Sequence, residues 1–453
     1  MMFWQKLWKL QWFQGRAVIP APRFLRLVFF SVLITGFGAW WGLGGLFFLL
    51  SNGILLGLVA IELLQLRKMP KFGGKREAKA LFELGEENQI RLSLHASAPA
   101  VGTMWVRDDF PHGFSVNQRT FQIEWKRETE QAIVYTARPH RRGKHFFHDL
   151  HVRMESKWKL FHYEERIPAR LAVDVYPRLE PVRRVKQGFY RSMPASEGQP
   201  IARVFGRGQE FSHIREYRPD DDPRQINWMG TARRGKLVSN VYQPETGQQV
   251  AIFIDCGRLM GVRNDGESRL DRALEAALGY AAIALDRGEQ VSVIAFSNRM
   301  LRMIPPGKGM AYLNKIIEGV YDLAPDDVES DYLAAWEAAA PFLKKQTLVT
   351  LFTDAANVAF ADSLYRMVTL AKKRHLVLTV SMQEPKWTEI LQKEPNHELD
   401  VYRQIAVEEL MSERKKALTR WNHKKVIALD VEPERLASSV IYSFLDIRCR
   451  IWT

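Results

Sequence analysis

Cysteine is almost absent: Cys256 and Cys449 are the two in a chain of 453 residues. That number is too small for a disulfide framework, and a reducing compartment is the simpler expectation. The short catalytic signatures are missing as well. No Ser-His-Asp signature, phosphate-binding glycine loop or HExxH pattern occurs, and the GRGQE run at 206–210 lacks the spacing of a nucleotide-binding loop. Acidic charge is in deficit, with 51 Asp and Glu against 65 Lys and Arg and a net charge of +14. Such a balance admits nucleic acid, anionic lipid or an acidic protein as partner, and the location of the charge has to decide among them.

What the chain has in quantity is a long apolar run. Residues 24–64 carry only Arg26 and Glu62 as charges, both near the ends. About 20 apolar residues span a bilayer, so the run fits two helices, near 24–40 and 44–64. Gly42, Gly44 and Gly45 beside Trp40 and Trp41 make the natural turn. A single buried or re-entrant hairpin is the alternative. A cleaved signal peptide does not fit, because the run is too long and no small-residue cleavage site follows it. Lys6, Lys9, Arg16, Arg23 and Arg26 precede the run, and Arg67, Lys68, Lys71, Lys75 and Arg76 follow it. Both ends are therefore expected in the cytoplasm, giving a two-helix, multi-pass protein of the cell membrane with cytoplasmic soluble parts. Trp4, Leu7, Trp8 and Trp12 stand at helical spacing around Lys6 and Lys9, as in an interfacial helix, although a plain tail suits residues 1–23 equally. Part of the basic excess thus lies beside lipid, which weakens the case for nucleic acid.

Beyond the run, residues 72–180 show short alternating apolar segments separated by Pro, Gly and charged turns, the pattern of a small β sandwich or barrel. His140, His145, His148, His151 and His162 fall close together there, but their spacing matches no common metal site. Residues 181–247 read as a basic linker leading into a polar segment. From 248 to 453 strand and helix patterns alternate, with strands expected at 250–255, 291–296, 347–354, 375–381 and 425–429. This is the layout of a parallel sheet covered on both faces. Asp255 and Asp354 fall at carboxyl ends of its strands, where such sheets bind ligands.

The polar segment, 208–236, interleaves Glu210, Glu216, Asp220, Asp221 and Asp222 with Arg215, Arg218, Arg224, Arg233, Arg234 and Lys236, threaded by Phe211, Ile214, Tyr217, Ile226 and Trp228. Regular apolar insertion argues for a folded network. Arg215, Arg224 and Arg233 are expected to bridge the carboxylates, with Tyr217, Ile226 and Trp228 fixing the segment against the sheet. Carboxylates ringed by arginine make poor general acids, so no catalytic residue is expected here.

The ordered set Gly208, Phe211, Arg215, Glu216, Tyr217, Asp221, Arg224, Asn227, Trp228, Ala232 and Arg233, followed by the strand from Val250, resembles the signature of the domain of unknown function 58 family. The resemblance implies a multidomain protein: a transmembrane hairpin, a β-rich, sandwich-like module and an α/β domain. The last is similar to a von Willebrand factor type A domain, with its Rossmann-like parallel sheet. It also implies a bacterial inner membrane and a partner, an AAA+ ATPase of the MoxR type. The metal site of the resembled domain needs an Asp-x-Ser-x-Ser strand end. Here that motif reads Asp255-Cys256-Gly257-Arg258-Leu259, so both hydroxyl positions are lost. Asp255, Asp354 and the loop candidates Ser330 and Asp331 could still hold Mg²⁺ among waters. Alternatively Asp255 and Asp354 cap the following helices or pair with Arg258. The expected function is a membrane-anchored interaction, scaffold or assembly-chaperone factor without catalysis or a required cofactor. Its competitors are a metal-dependent hydrolase using Asp255 and Asp354, and a nucleic-acid binder using the basic patches at 141–144 and 183–191.

Overall fold

The computed structural model describes residues 17–190, 210–218, 223–243, 248–264, 266–343, 345–354, 361–422 and 426–451. It divides into two compact units, Met1–Val175 and Tyr176–Thr453.

In the first unit a short strand, β1 (Ala17–Pro20), precedes the apolar helices α1 (Pro22–Trp40) and α2 (Gly44–Arg67). Pro22 opens α1, where its missing N–H leaves no bond unmade. Gly42, at φ 75°, makes the left-handed turn between the helices. Gly38 permits their close approach, since a Cβ there would fall 2.5 Å from the Phe47 ring. At 19 and 24 residues both helices are long and apolar enough to cross a membrane. Phe29, Phe37, Leu49 and Leu56 project outward and exposed. The hairpin is thus compatible with membrane anchoring. The Trp4 to Trp12 pattern lies outside the described residues.

The rest of this unit is all β: β2 (Phe72–Ala78), β3 (Leu81–Glu83), β4 (Asn88–Asp108), β5 (Phe114–Val116), β6 (Thr120–Pro139), β7 (Gly143–Phe147), β8 (Leu150–Glu155), β9 (Phe161–Ile167) and β10 (Leu171–Tyr176). A larger sheet runs β1-β9-β8-β4-β6-β5 with β2 also on β4, and a smaller one runs β3-β10-β7. The strand β1, which sequence reading did not foresee, pairs antiparallel with β9. One apolar core joins Leu92, Val106 and Val152 of the larger sheet to Phe82, Phe147 and Val175 of the smaller. His145, His151 and His162 sit on three different strands, and no group of His, Cys, Asp or Glu among the described residues could hold a metal ion.

The second unit starts with a correction. Residues 180–186, read from sequence as the edge and start of a linker, form the helix α3 (Glu180–Lys186) with Pro181, Val182 and Val185 buried. A hairpin follows, β11 (Glu210–Glu216) and β12 (Val238–Gln243), with α4 (Trp228–Arg234) between its strands. Next come β13 (Gln249–Asp255), the two-residue pair β14 (Arg263–Asn264) and β15 (Glu267–Ser268), α5 (Arg269–Asp286), β16 (Gln290–Phe296) and β17 (Met300–Gly307). The chain continues through α6 (Tyr312–Val320), α7 (Tyr332–Ala339), β18 (Thr347–Phe352), α8 (Ala361–Ala371) and β19 (Leu376–Met382). It ends with α9 (Pro385–Gln392), α10 (Glu398–Asn422), β20 (Ile427–Val431) and α11 (Leu436–Ile451).

Six strands form one sheet in the order β17-β16-β13-β18-β19-β20, parallel except for the edge strand β17. Every residue of β13 is buried, as a central strand covered on both faces requires. Alternate residues serve opposite faces. Val250, Ile252 and Ile254 join α5, α6, α11 and α3 in one core, while Ala251 and Phe253 join α7 and α8 in another. Strand order reverses at β13, which places Asp255 at the edge where ligands bind in such sheets. Helix α10 had no predicted counterpart, because polar residues surround it and no apolar stripe marks it.

Gly279 shows how α3 is held. A glycine inside a helix costs about 1 kcal/mol relative to alanine, yet a Cβ at Gly279 would stand 2.7 Å from Pro181 Cβ. Gly279→Ala is therefore expected to destabilise by about 1–3 kcal/mol through overpacking rather than to gain helix propensity. Faster proteolysis at α3 in the full-length protein would show it; an increase in stability would mean that α3 is not seated there.

Candidate functional site

The switch point is built around one carboxylate. Asp255, 2% exposed at the end of β13, has its Oδ1 bound by the Gly257 N–H at 2.8 Å and by the Ser330 hydroxyl. Its Oδ2 accepts from Tyr332 at 2.9 Å and from Thr353 at 2.6 Å, and those two hydroxyls lie 2.8 Å apart. Burial pushes the Tyr332 hydroxyl well above its ordinary pKa, and the charge of Asp255 adds to the effect, so Tyr332 is held as a protonated donor. Four donors saturate this carboxylate.

Asp354 lies beyond β18 in a second cluster. It pairs with Arg269, and Arg414 of α10 stands 3.5 Å from it. Arg269 also reaches Glu384 at 2.8 Å, and Arg414 forks onto Asp430 at 2.5 and 3.0 Å. The Met382 carbonyl accepts a further bond from Arg414 at 2.6 Å. Burial alone would lower the pKa of Arg414, but the Asp430 and Asp354 carboxylates more than offset it and raise the value. Helix α5 begins beside this cluster with a capping box, in which Ser268 and Asp271 satisfy each other's backbone N–H.

These positions bear on two expectations. Among the described residues Asp255 and Asp354 cap no helix and do not pair with Arg258, which instead faces Glu329 at 3.5 Å. Asp331, next to Ser330, caps α7. The set Asp255, Ser330 and Asp354 also does not fit Mg²⁺. Ser330 donates its proton to Asp255, two guanidiniums occupy Asp354, and a side chain at Gly257 would collide with Ser330 Oγ at 2.1 Å. A hard cation needs free oxygen lone pairs; those of Asp255 are taken by four donors, and the Asp354 Oδ1, which has no hydrogen-bond partner among the described residues, faces the Arg414 guanidinium at 3.5 Å. Sequence reasoning missed Tyr332, Thr353, Arg269 and Arg414. Thr353 could have been noticed beside Asp354, whereas Arg414 lies in a helix with no periodic signal.

The signature segment forms a ladder of its own, β11 with β12, apart from the six-stranded sheet. Asn227 caps α4 by accepting from the Gly230 N–H at 2.7 Å, and Gly235, at φ 67°, closes it. Glu216 and Lys236 face each other at 3.4 Å, both exposed. Arg215 donates to the Glu216 carbonyl at 3.3 Å. Arg224 and Arg233 are exposed, and Tyr217 is half-buried. Gly208 and Asp221 lie outside the described residues, as does the side chain of Phe211. Trp228 departs from the expected brace: it is 68% exposed and Met229 71% exposed, with Leu237 also exposed nearby in sequence. The Asn227 cap starts the helix at Trp228 and leaves the indole to solvent.

Residues 213–415 match the model of the family described as Protein of unknown function DUF58. That match supports the DUF58 family. It begins after Gly208 and Phe211 and takes in the rest of the signature, Asp255, Ser330 and Asp354. No curated protein matches the chain. Among solved structures, the conserved hypothetical protein BatB from Bacteroides thetaiotaomicron aligns at 16% identity over 45% of this chain and 98% of its own, with a TM-score of 0.31. The vWF domain of the type V pili tip protein Mfa5 from Porphyromonas gingivalis aligns at 10% identity over 46% and 97%, with a TM-score of 0.28. The CARDB domain of the PF1109 protein from Pyrococcus furiosus aligns at 9% identity over 24% and 94%, with a TM-score of 0.17. With scores this low, none of the three bears on activity.

Proposed function

We propose that this DUF58-like chain is a membrane-anchored protein-interaction factor, of the scaffold or assembly-chaperone kind, that performs no catalysis of its own. In this reading the apolar hairpin spans the membrane, both soluble units lie in the cytoplasm, and the parallel-sheet unit is a von Willebrand factor type A-like domain. Its strand order and the placement of Asp255 at the switch point support the last assignment. The observation that carries the function is a contrast. The carboxylates at the ligand edge are bound internally, while Trp228, Met229 and Leu237 stand exposed among Arg233, Arg234 and Lys236. Aromatic, methionine and arginine side chains are those enriched at the centres of protein interfaces.

The partner we propose is an AAA+ ATPase of the MoxR type, and the basic setting of Trp228 suits an acidic face on it. Affinity capture of the full-length protein from detergent-solubilised membranes is expected to recover such an ATPase. Trp228→Ala is expected to weaken capture about 30-fold, the loss of one hot-spot residue worth about 2 kcal/mol. Equal capture by the variant would move the interface elsewhere, and recovery of no ATPase with normal expression would sink the partner.

A further inference from the structure

Within the first unit, a groove of about 430 Å³ opens between the apolar hairpin and the β8–β9 turn, lined by Arg23, Arg26, Leu27, Phe30, Leu58 and Trp158. Its volume lies within the roughly 300–1,000 Å³ of small-ligand sites. The two arginines are three residues apart on α1, hence on one face of the helix. Both are exposed, and neither has an ion-pair partner among the described residues. The nearby carboxylate, Glu62, is fully buried, and its Oε1 accepts from the Trp158 and Leu160 N–H groups at 3.0 and 3.4 Å. No acidic side chain lines the groove. The lining is therefore cationic where the arginines stand and apolar along both helices.

We propose that this groove binds an anionic phospholipid, its phosphate on Arg23 and Arg26 and an acyl chain along Leu27, Phe30 and Leu58. A guanidinium pair matches the geometry and charge of a phosphodiester. Tryptophan favours the headgroup depth at which that phosphate lies, and basic pockets beside transmembrane helices take anionic headgroups. Free phosphate would satisfy the arginines but leave the apolar wall uncovered, so the lipid is the occupant that uses the whole lining. The site rests on the hairpin being membrane-spanning.

The test uses the full-length protein in detergent, titrated with short-chain phosphatidylglycerol, phosphatidylcholine or inorganic phosphate and read by native mass spectrometry. One phosphatidylglycerol per chain is expected to bind in preference to phosphatidylcholine. The double variant Arg23→Gln, Arg26→Gln, which keeps side-chain length and removes charge, should bind it about tenfold or more weakly, as losing charged hydrogen bonds implies. Equal binding of phosphatidylcholine, an unchanged double variant, or saturation by inorganic phosphate at the same concentrations would each overturn the site. Alkaline extraction of membranes separates this failure from that of the anchoring: wild type and variant should both stay in the membrane fraction, and release of the wild type would overturn the spanning hairpin and the lipid site together.

Discussion

Arg414→Ala is expected to destabilise the α/β unit by about 3–5 kcal/mol, the usual cost of removing one partner from a buried ion pair. The side chain of Arg414 is 8% exposed, and those of Asp430 and Asp354 are 14% and 10% exposed, so water would do little to replace it. The arginine links three elements, since it leaves α10 to meet Asp430 of β20, the Met382 carbonyl of β19 and Asp354 beyond β18. Its loss would leave Asp430 without its fork, and Asp354 would keep only Arg269 among the described residues. Arg414→Lys should recover little, because a single ammonium cannot make the two parallel bonds to Asp430 while reaching the Met382 carbonyl. Pairing Arg414→Ala with Asp430→Asn should recover part of the loss, since the buried charge goes with its partner. Hydrogen exchange of the β18, β19 and β20 amides in the full-length protein reads the effect locally. A loss below about 1 kcal/mol would place the cluster among solvent-screened surface pairs.

The contrast between the two clusters shows which parts of this fold were visible in the chain. Strands β13, β16, β18 and β19 are near-continuous β-branched and apolar runs, and their period and length announce them. The two apolar helices and their glycine turn are equally plain, because long apolar runs interrupted by a glycine cluster mark two helices and the turn between them. Strand β1 is four residues long and had no pattern to show. The helix α3 was obscured by its basic residues, which hide the apolar set Pro181, Val182 and Val185. At the site, sequence reasoning selected Asp255, Asp354 and Ser330, which the structure places near the carboxyl ends of β13 and β18, but not the side chains that surround them. Tyr332 opens α7 as an ordinary aromatic, and Arg269 and Arg414 lie 85 and 60 positions from Asp354 (354 − 269 and 414 − 354). Contacts at such separation leave no periodic trace in a single sequence. Trp228 illustrates the converse, since an aromatic in a signature reads as core until exposure is known.

Asp255→Ala carries the second large effect, about 3–4 kcal/mol, and its size follows from how many donors lose one acceptor. Removing the carboxylate leaves the Gly257 N–H and the Ser330, Tyr332 and Thr353 hydroxyls around an empty space. Each buried donor left unpaired costs about 1–3 kcal/mol, but the four costs do not add. Tyr332 and Thr353 already stand at hydrogen-bond distance, so one of the two hydroxyls can donate to the other, and the loop hydroxyl of Ser330 can turn toward solvent. Asp255→Asn keeps the volume and one acceptor but turns an NH₂ group toward hydroxyl and amide donors, so an intermediate loss of about 2 kcal/mol is expected. Tyr332→Phe removes a single bond at about 1–1.5 kcal/mol. The order Asp255→Ala, Asp255→Asn, Tyr332→Phe is what a structural keystone requires, measured by hydrogen exchange along β13 and β18. A metal-binding carboxylate behaves otherwise. Freed of its ion, such a group is destabilising by its own charge, so Asp255→Asn would then stabilise the metal-free protein and abolish any shift caused by added Mg²⁺. The two behaviours have opposite signs for the same substitution, and the four donors converging on Asp255 predict the loss.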